Sequence, residues 1–320
     1  MRTSIKLLGA MLLAAAGLAH ADYPERTVTM VVPFPPGGVA DTVARPVAEA
    51  LGKELGQSVV VENRAGAGGA TGIGVVGRAA PDGHTLLMSL SSISILPEAD
   101  RILERKPQFT LDQFKPIARF TADPTVLVVR ADSPWQNFAE FAADVGKNPG
   151  KYNYGSSGNY GTMHVPMEML KNSARLRLVH IPYTGAGPAV VALLGGQVNA
   201  LSTGPASVLA HIKAGKLRAL AHWGDKPLAS LPDVPSLKSL GHPVQFAQWS
   251  AMFVPAATPE PVVQKLRAAA KKVAMDPAVA QVINRAGSPI EYLDAPEFQA
   301  YWNTDAKTMT DAVRQIGRID

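Results

Sequence analysis

The 320-residue chain has no cysteine, few aromatic residues (6%) and few charged residues (18%). Without a thiol it has no disulfide framework, no thiolate nucleophile and no cysteine for an N-terminal lipid anchor. Beyond its first residues it has no apolar run long enough to span a bilayer. Its basic residues are scattered rather than arranged in a stripe with interleaved aromatics, so nucleic acid is not expected as a partner. Its 47% of hydrophobic residues suffice for the cores of two modest domains.

The first 21 residues have the three parts of an export signal. Arg2 and Lys6 supply the positive start, residues 7–19 form the apolar stretch, and Ala19-His20-Ala21 is a small-residue cleavage site. We therefore predict cleavage after Ala21. An export signal without any disulfide fits a bacterial periplasmic protein better than a small secreted scaffold.

Glycine-rich loops follow predicted strands at several points. A β-branched run ends at residue 32, residues 33–38 read Pro-Phe-Pro-Pro-Gly-Gly, and a helical pattern then begins. Comparable loops occupy residues 64–72, 155–162 and 184–188. Main-chain amides at glycines and helix N-termini suit an anion, although an ordinary strand-to-helix connection explains any single loop equally well. Their repetition at strand ends predicts a shared ligand site.

The alternation of strand and helix patterns predicts parallel α/β sheets. Two segments, residues 115–130 and 244–255, are interpreted as crossings between two lobes, and the helical C-terminal residues are expected to pack on the first lobe. The predicted division is a signal peptide at 1–21, a first lobe at 22–121 plus 248–320, and a second lobe at 122–247. Loops that face each other across a cleft are typical of a hinged ligand trap.

Four stretches, in this order and spacing, resemble a known family. They are Val-Pro-Phe-Pro-Pro-Gly-Gly (32–38) after Tyr23-Pro24, Glu-Asn-Arg-Ala-Gly-Ala-Gly-Gly (62–69), Tyr-Thr-Gly-Ala-Gly-Pro-Ala (183–189) with Leu-Leu-Gly-Gly-Gln-Val (193–198), and residues 211–220 with Leu-Pro-Asp-Val-Pro (231–235). The chain resembles the Bug-type extracytoplasmic solute receptors of tripartite tricarboxylate transporters.

The resemblance implies a two-lobed periplasmic-binding-protein fold, type II-like, with two parallel or mixed sheets flanked by helices and a ligand cleft between the lobes. It implies that a monomer captures a small carboxylate, without a cofactor or catalysis, and delivers it to membrane permease subunits. The carboxylate would be held largely by main-chain amides and ordered water. The predicted ligand-binding residues are Phe34, Gly37, Gly38, Asp41, Ser89, Ser156, Ser157, Asn159, Tyr160, Thr162, Thr184, Gly185, Ala186, Gly187, Pro188 and Thr203.

Three positions depart from the family pattern. Thr203 and Asn199 stand where an acidic residue is common, and Tyr160 adds a ring to a loop that usually has small residues. The chain lacks the acid that would recognise an amino group, so we expect a carboxylate without an amine, aromatic or dicarboxylic.

Several residues allow two interpretations. Asp41 is either a helix-start residue or a pocket wall, Arg64 pairs either with Glu62 or with a ligand carboxylate, and Trp249 either lines the cleft or packs in the core. The histidines have no metal-ligand spacing, so no metal site is predicted.

Two other functions remain open from sequence. One is an exported hydrolase in which Ser156 or Ser157 acts with His164, although no nucleophile-elbow, dinucleotide or phosphate-loop motif is present. The other is a ligand-sensing partner of a membrane signalling protein, which would use the same cleft.

Overall fold

The computed structural model describes residues 23–319, so the predicted signal peptide and its cleavage site lie outside the described residues. Within that span, no helix combines the length and the apolar character needed to cross a membrane. The strands, numbered in chain order, are β1 (Val28–Val32), β2 (Val59–Asn63), β3 (Thr85–Leu90), β4 (Phe114–Pro124), β5 (Val126–Arg130), β6 (Asn153–Ser156), β7 (Val179–Pro182), β8 (Ala200–Thr203), β9 (Leu217–His222), β10 (Ala247–Pro255) and β11 (Ile290–Asp294).

Helices alternate with these strands over most of the chain. The helices are α1 (Val39–Leu55), α2 (Ala70–Gly77), α3 (Ser92–Ile102), α4 (Phe138–Lys147), α5 (Val165–Ala174), α6 (Ala186–Leu194), α7 (Leu209–Lys213), α8 (Glu260–Met275), α9 (Pro277–Ala286) and α10 (Ala295–Ile316).

The first lobe is built on a six-stranded mixed sheet of order β11-β4-β10-β3-β1-β2. Strand β1 runs parallel to β2 and β3, whereas β10 runs antiparallel to β3 and β4. Met30 on one face of β1 packs in the same core as Val47 of α1, and Val31 on the other face packs with Phe298 of α10. Because both faces are covered, β1 is an almost continuous apolar run.

The second lobe is built on a five-stranded sheet of order β7-β6-β8-β5-β9. Strand β6 is parallel to β7 and β8, whereas β5 is antiparallel to β8 and β9. Two mixed sheets flanked by helices confirm the predicted fold class.

The segments that connect the two sheets, around Thr125 and Phe246, are linked by hydrogen bonds through Trp223 and are called the hinge below. Only Thr125 separates β4 from β5, and its carbonyl accepts a hydrogen bond of 3.0 Å from the N–H of Trp223. The Trp223 carbonyl in turn accepts from the N–H of Phe246, at 3.2 Å, just before β10. The outgoing and returning segments are thereby joined between the two sheets.

Helix α10 packs against both lobes, whereas the sequence analysis expected the C-terminal helices to pack on the first lobe. Phe298 and Trp302 near its start are buried in the first lobe, but Met309 and Val313 pack with residues of the second. Just beyond its end, the hydroxyl of Tyr160 donates to the Gly317 carbonyl at 2.7 Å.

Local elements differ from the sequence prediction at two further points. The sequence of residues 205–214, from Pro205 to the residue before Gly215, predicts one helix, but the structure has a 3₁₀ turn at Pro205–Ser207 and the short α7. Residues 290–294, which were expected to lie between helices, form the edge strand β11, whose pairing with β4 is a long-range contact that local periodicity does not reveal.

Candidate ligand-binding site

Two proline- and glycine-rich loops, one from each lobe, lie against each other. A Cβ built at Gly185 would come 2.3 Å from Pro35 Cδ, and one at Gly187 would come 3.1 Å from the Pro36 carbonyl oxygen. A Cβ built at Gly38 would lie 3.6 Å from that of Ala186. The absence of side chains at these positions lets the loops after β1 and β7 approach to backbone contact.

A small cavity of about 10 Å³ lies behind these loops, close to the space for one water molecule. Its walls come from both lobes and contain no charged side chain. The lining residues are Phe34, Gly38, Val39, Ala40, Leu90, Ser157, Thr162, Met163, Ala186 and Gln248. A dicarboxylate is larger than this space, so the lobes must separate for one to enter.

Two helices begin at this cavity. Gly38, Val39 and Ala40 lie at the start of α1, and Ala186 is the first residue of α6. The first N–H groups of a helix have no partner within the helix and carry partial positive charge. A carboxylate placed between the lobes would therefore face main-chain donors from both sides without needing a buried arginine.

Gln248, which the sequence prediction missed, links the lobes at this cavity. It is on β10 of the first lobe, is only 1% exposed, and its side-chain amide donates to the hydroxyl of Thr162 in the second lobe. Its Oε1 accepts a 3.0 Å hydrogen bond from the N–H of Gly204. The sequence signal for Gln248 is its polar side chain within the largely apolar residues 244–255, which were predicted to cross between the lobes.

The Asp41 carboxylate forms its hydrogen bonds within and beside the loop after β1. Its Oδ2 accepts from the N–H of Gly37 at 3.0 Å and from Arg45 at 2.9 Å, while its Oδ1 accepts from Arg45 at 2.8 Å and Asn63 at 2.9 Å. Burial would raise the pKa of the Asp41 carboxyl, but these hydrogen bonds outweigh it and hold the pKa below its usual value. Asn63 also donates to the Phe34 carbonyl at 2.9 Å, so this network fixes the loop shape.

The second-lobe loop rests on a buried histidine network. The hydroxyl of Ser156 lies 2.6 Å from Nε2 of His180, and Nδ1 of His164 accepts a 3.0 Å hydrogen bond from the N–H of Tyr160. Burial lowers the pKa of His164 to about 2 and that of His180 to about 4. Both imidazoles are therefore neutral near neutral pH, and they position the loop after β6 through their contacts with Ser156 and Tyr160.

This network does not assemble the hydrolase considered from sequence. Ser156 is fully buried and pairs with His180 rather than His164. Within residues 23–319, the Ser157 hydroxyl has no hydrogen-bond partner at all, although it lines the cavity.

The predicted site residues separate into two groups. Those that line the cavity are Phe34, Gly38, Ser157, Thr162 and Ala186. Those that lie outside its lining are Gly37, Asp41, Ser89, Ser156, Asn159, Tyr160, Thr184, Gly185, Gly187, Pro188 and Thr203. Several of the second group support the loops; Tyr160, for example, is buried with a φ of +53°, and its hydroxyl contacts the chain after α10.

The remaining ambiguous residues have structural contacts. Arg64 donates to Glu62 at 2.8 Å on the surface. Trp249 packs in the first-lobe core, 5.4 Å from the ring of Phe298. Asn199 exchanges two 2.9 Å hydrogen bonds with Asn153 away from the cavity.

Comparison with known proteins agrees with this architecture. The model of the "Tripartite tricarboxylate transporter family receptor" (TctC) matches residues 43–318. A UPF0065 protein of Bordetella pertussis is 36% identical over 283 residues, covering 86% of this chain and 85% of that protein.

Two solved structures are similar over most of both chains. The periplasmic binding protein BugD has 32% sequence identity and a TM-score of 0.86, covering 92% of this chain and 98% of its own. MatC from Rhodopseudomonas palustris, solved with bound malate, has 30% identity and a TM-score of 0.84, covering 91% of this chain and 99% of its own.

Two α/β lobes that meet around a cleft and are joined by hinge segments define a solute-binding protein of the periplasmic-binding class. The chain belongs to the receptor family of tripartite tricarboxylate transporters. The resemblance inferred from sequence is confirmed, and the family is one of solute-binding receptors rather than an enzyme class.

Proposed function

We propose that the mature protein captures a small carboxylate without an amino group in the periplasm and delivers it, as a monomer, to the permease subunits of a tripartite tricarboxylate transporter. The observation that carries this proposal is the convergence of the α1 and α6 N-termini on one interlobe cavity without a charged side chain. The malate bound to MatC supports the same ligand class.

The cavity lining favours a carboxylate over an amino acid. The hydroxyls of Ser157 and Thr162 and the amide of Gln248 supply further hydrogen bonds for carboxylate oxygens. None of the lining residues is acidic, so an ammonium group would be buried without a counterion. Binding would begin with the lobes apart and end with the Pro35–Gly38 and Gly185–Gly187 loops closing over the ligand.

A matched pair of ligands tests this proposal. Protein freed of bound solute by denaturation and refolding would be titrated with malate and aspartate, which differ only in a hydroxyl or an ammonium group, and with a panel of other di- and tricarboxylates, aromatic acids and neutral amides. Because a ligand that binds only the folded state raises its stability, we expect thermal shifts with one or more acids and none with their amides. Binding of neutral amides, or of aspartate in preference to every acid without an amine, would contradict the proposed class.

Delivery needs a separate experiment. Proteoliposomes containing the cognate permease subunits should accumulate the labelled carboxylate only when the receptor is added outside. Uptake that is independent of the receptor would contradict a role in transport while leaving carboxylate binding intact. Light scattering of the purified receptor would test whether it is a monomer in solution.

A further inference from the structure

A second, larger cavity of about 650 Å³ lies beside the hinge. Its walls come from the end of β4, the connection from β9 to β10, the start of β11 and one face of α10. Pro205 lines this cavity, whereas the N–H of the preceding Gly204 donates to Gln248 of the central cavity. The volume is in the range of sites for small organic ligands, and its lining differs from that of the carboxylate cavity.

A buried carboxyl group with one unpartnered oxygen faces this second cavity. Asp123, near the end of β4, is 2% exposed and lines the cavity. Within residues 23–319 its Oδ2 has no hydrogen-bond partner. The hydroxyls of Thr121 and Ser288 lie close enough to lower the pKa of this carboxyl group, but within the same residues neither makes a hydrogen bond of normal geometry. A buried carboxyl oxygen without a hydrogen-bond partner is costly, which points to a ligand that would satisfy it.

Arg119, a cation that lines the cavity, is already engaged elsewhere. The Nε of Arg119 donates to the Glu291 carbonyl at 3.2 Å, and its guanidinium lies 4.6 Å from the centroid of the Tyr301 ring. A second lining carboxyl group, that of Asp305, accepts from the Ser94 hydroxyl at 2.7 Å.

Acidic groups outnumber basic ones around the cavity. The ionisable lining residues are Arg119, Asp123, Asp225, Lys226, Glu291, Tyr301 and Asp305. Burial, and next the charge of Glu291, raise the pKa of the Asp123 carboxyl to about 7, against the opposing effect of nearby hydroxyls. A cation beside Asp123 would favour its ionised form.

We propose that this hinge cavity binds a small organic ammonium ion, with the cation against Asp123 and the hydrocarbon part against Trp223, Phe246 and Tyr301. These three rings line the cavity. Aromatic rings attract an ammonium group through their faces and also bury its hydrocarbon part. The combination of one unpaired carboxylate and aromatic walls selects an organic cation over a bare metal ion.

Calorimetric titration of the mature protein with benzylammonium tests this inference, with benzyl alcohol as a neutral ligand of similar shape. We expect saturable binding of benzylammonium and little or none of the alcohol. Asp123→Asn, which keeps the side-chain shape but removes the charge, should weaken binding at least about tenfold. Asp132→Asn, which removes an exposed carboxylate outside both cavities, should leave it unchanged.

Three results would overturn the inference. They are the absence of saturable benzylammonium binding, equal binding of benzyl alcohol, and equal affinity in wild type and Asp123→Asn. A response to sodium chloride without one to benzylammonium would instead assign the carboxyl group to an inorganic cation. Carboxylate binding is measured separately in the same variants. It shows whether each variant is folded, and its result does not depend on whether benzylammonium binds.

Discussion

At the scale of single residues, the loop after β1 depends on one carboxylate. Asp41 holds Gly37, Arg45 and Asn63 together, and its pKa is lowered by those contacts. We expect Asp41→Asn to reduce the free energy of unfolding by about 1–2 kcal/mol, because an amide accepts weaker hydrogen bonds than a carboxylate. Urea denaturation at neutral pH would measure this change.

The pH dependence of the Asp41 effect provides an internal check. A carboxyl group with a lowered pKa stabilises the fold above its unfolded pKa, and this contribution is lost as the pH falls below about 4. The difference between wild type and Asp41→Asn should therefore shrink in acid. Glu49→Gln, on the exposed face of the same helix, is the matched control and should have no measurable effect. A similar loss in both variants would contradict the role assigned to Asp41.

The raised pKa of Asp123 predicts the opposite dependence of stability on pH. With a folded pKa of about 7, the native protein keeps a proton that the unfolded chain releases above pH about 4. Its contribution to stability is therefore present at low pH and falls as the pH rises through 7. We expect the stability of wild type relative to Asp123→Asn to decrease between pH 4 and pH 8, as measured by denaturation at several pH values.

The histidines do not obscure this difference. The lowered pKa of His180 makes the fold lose stability as the pH falls from about 6.5 towards 4, but His180 is present in both proteins and its effect cancels. Curves for wild type and Asp123→Asn that stay parallel across the range would show that Asp123 is ionised in the fold.

At the scale of elements, closure depends on two loops that meet at glycine. The backbone of Gly185 is extended (φ 167°), so alanine is tolerated locally, but its Cβ would lie 2.3 Å from Pro35 Cδ in the opposite lobe. We expect Gly185→Ala to fold normally and to bind the carboxylate at least about tenfold more weakly, because the lobes cannot meet. Calorimetry would measure the affinity.

Gly146 offers a matched control for that substitution. It lies in α4, and a Cβ built there meets nothing within 4 Å. Gly146→Ala should bind like wild type. If Gly185→Ala also binds like wild type, the ligand-bound protein does not bring the two loops as close as the structure does.

At the scale of the whole molecule, sequence reasoning identified the lobes more reliably than their contacts. The glycine loops and strand–helix alternation are local patterns, and they predicted the two sheets, whereas the cavity residues Ser157, Thr162 and Ala186 were implied by the family resemblance. Gln248 and β11 were missed because their roles arise from pairing between distant segments. The contact of Tyr160 with the chain after α10 spans 157 residues and has no signature within either segment.

The absence of cysteine makes the closed arrangement itself testable. The Cβ positions of residues 38 and 186 are 3.6 Å apart across the cleft, within the range that a disulfide requires. In the double variant Gly38→Cys/Ala186→Cys, no native thiol competes, so mild oxidation should join the lobes. The disulfide would hold the cleft shut, so we expect the oxidised protein, formed without ligand, to lose carboxylate binding.

Reduction should then restore binding in the same molecule, which separates the effect of the cross-link from that of the two substitutions. Each single variant, treated with the same oxidant, should bind as it does before treatment. If the cross-linked protein binds the carboxylate as well as its reduced form, the ligand does not enter between these loops, and the site must lie elsewhere. If binding is lost on oxidation and regained on reduction, the ligand enters between these two loops.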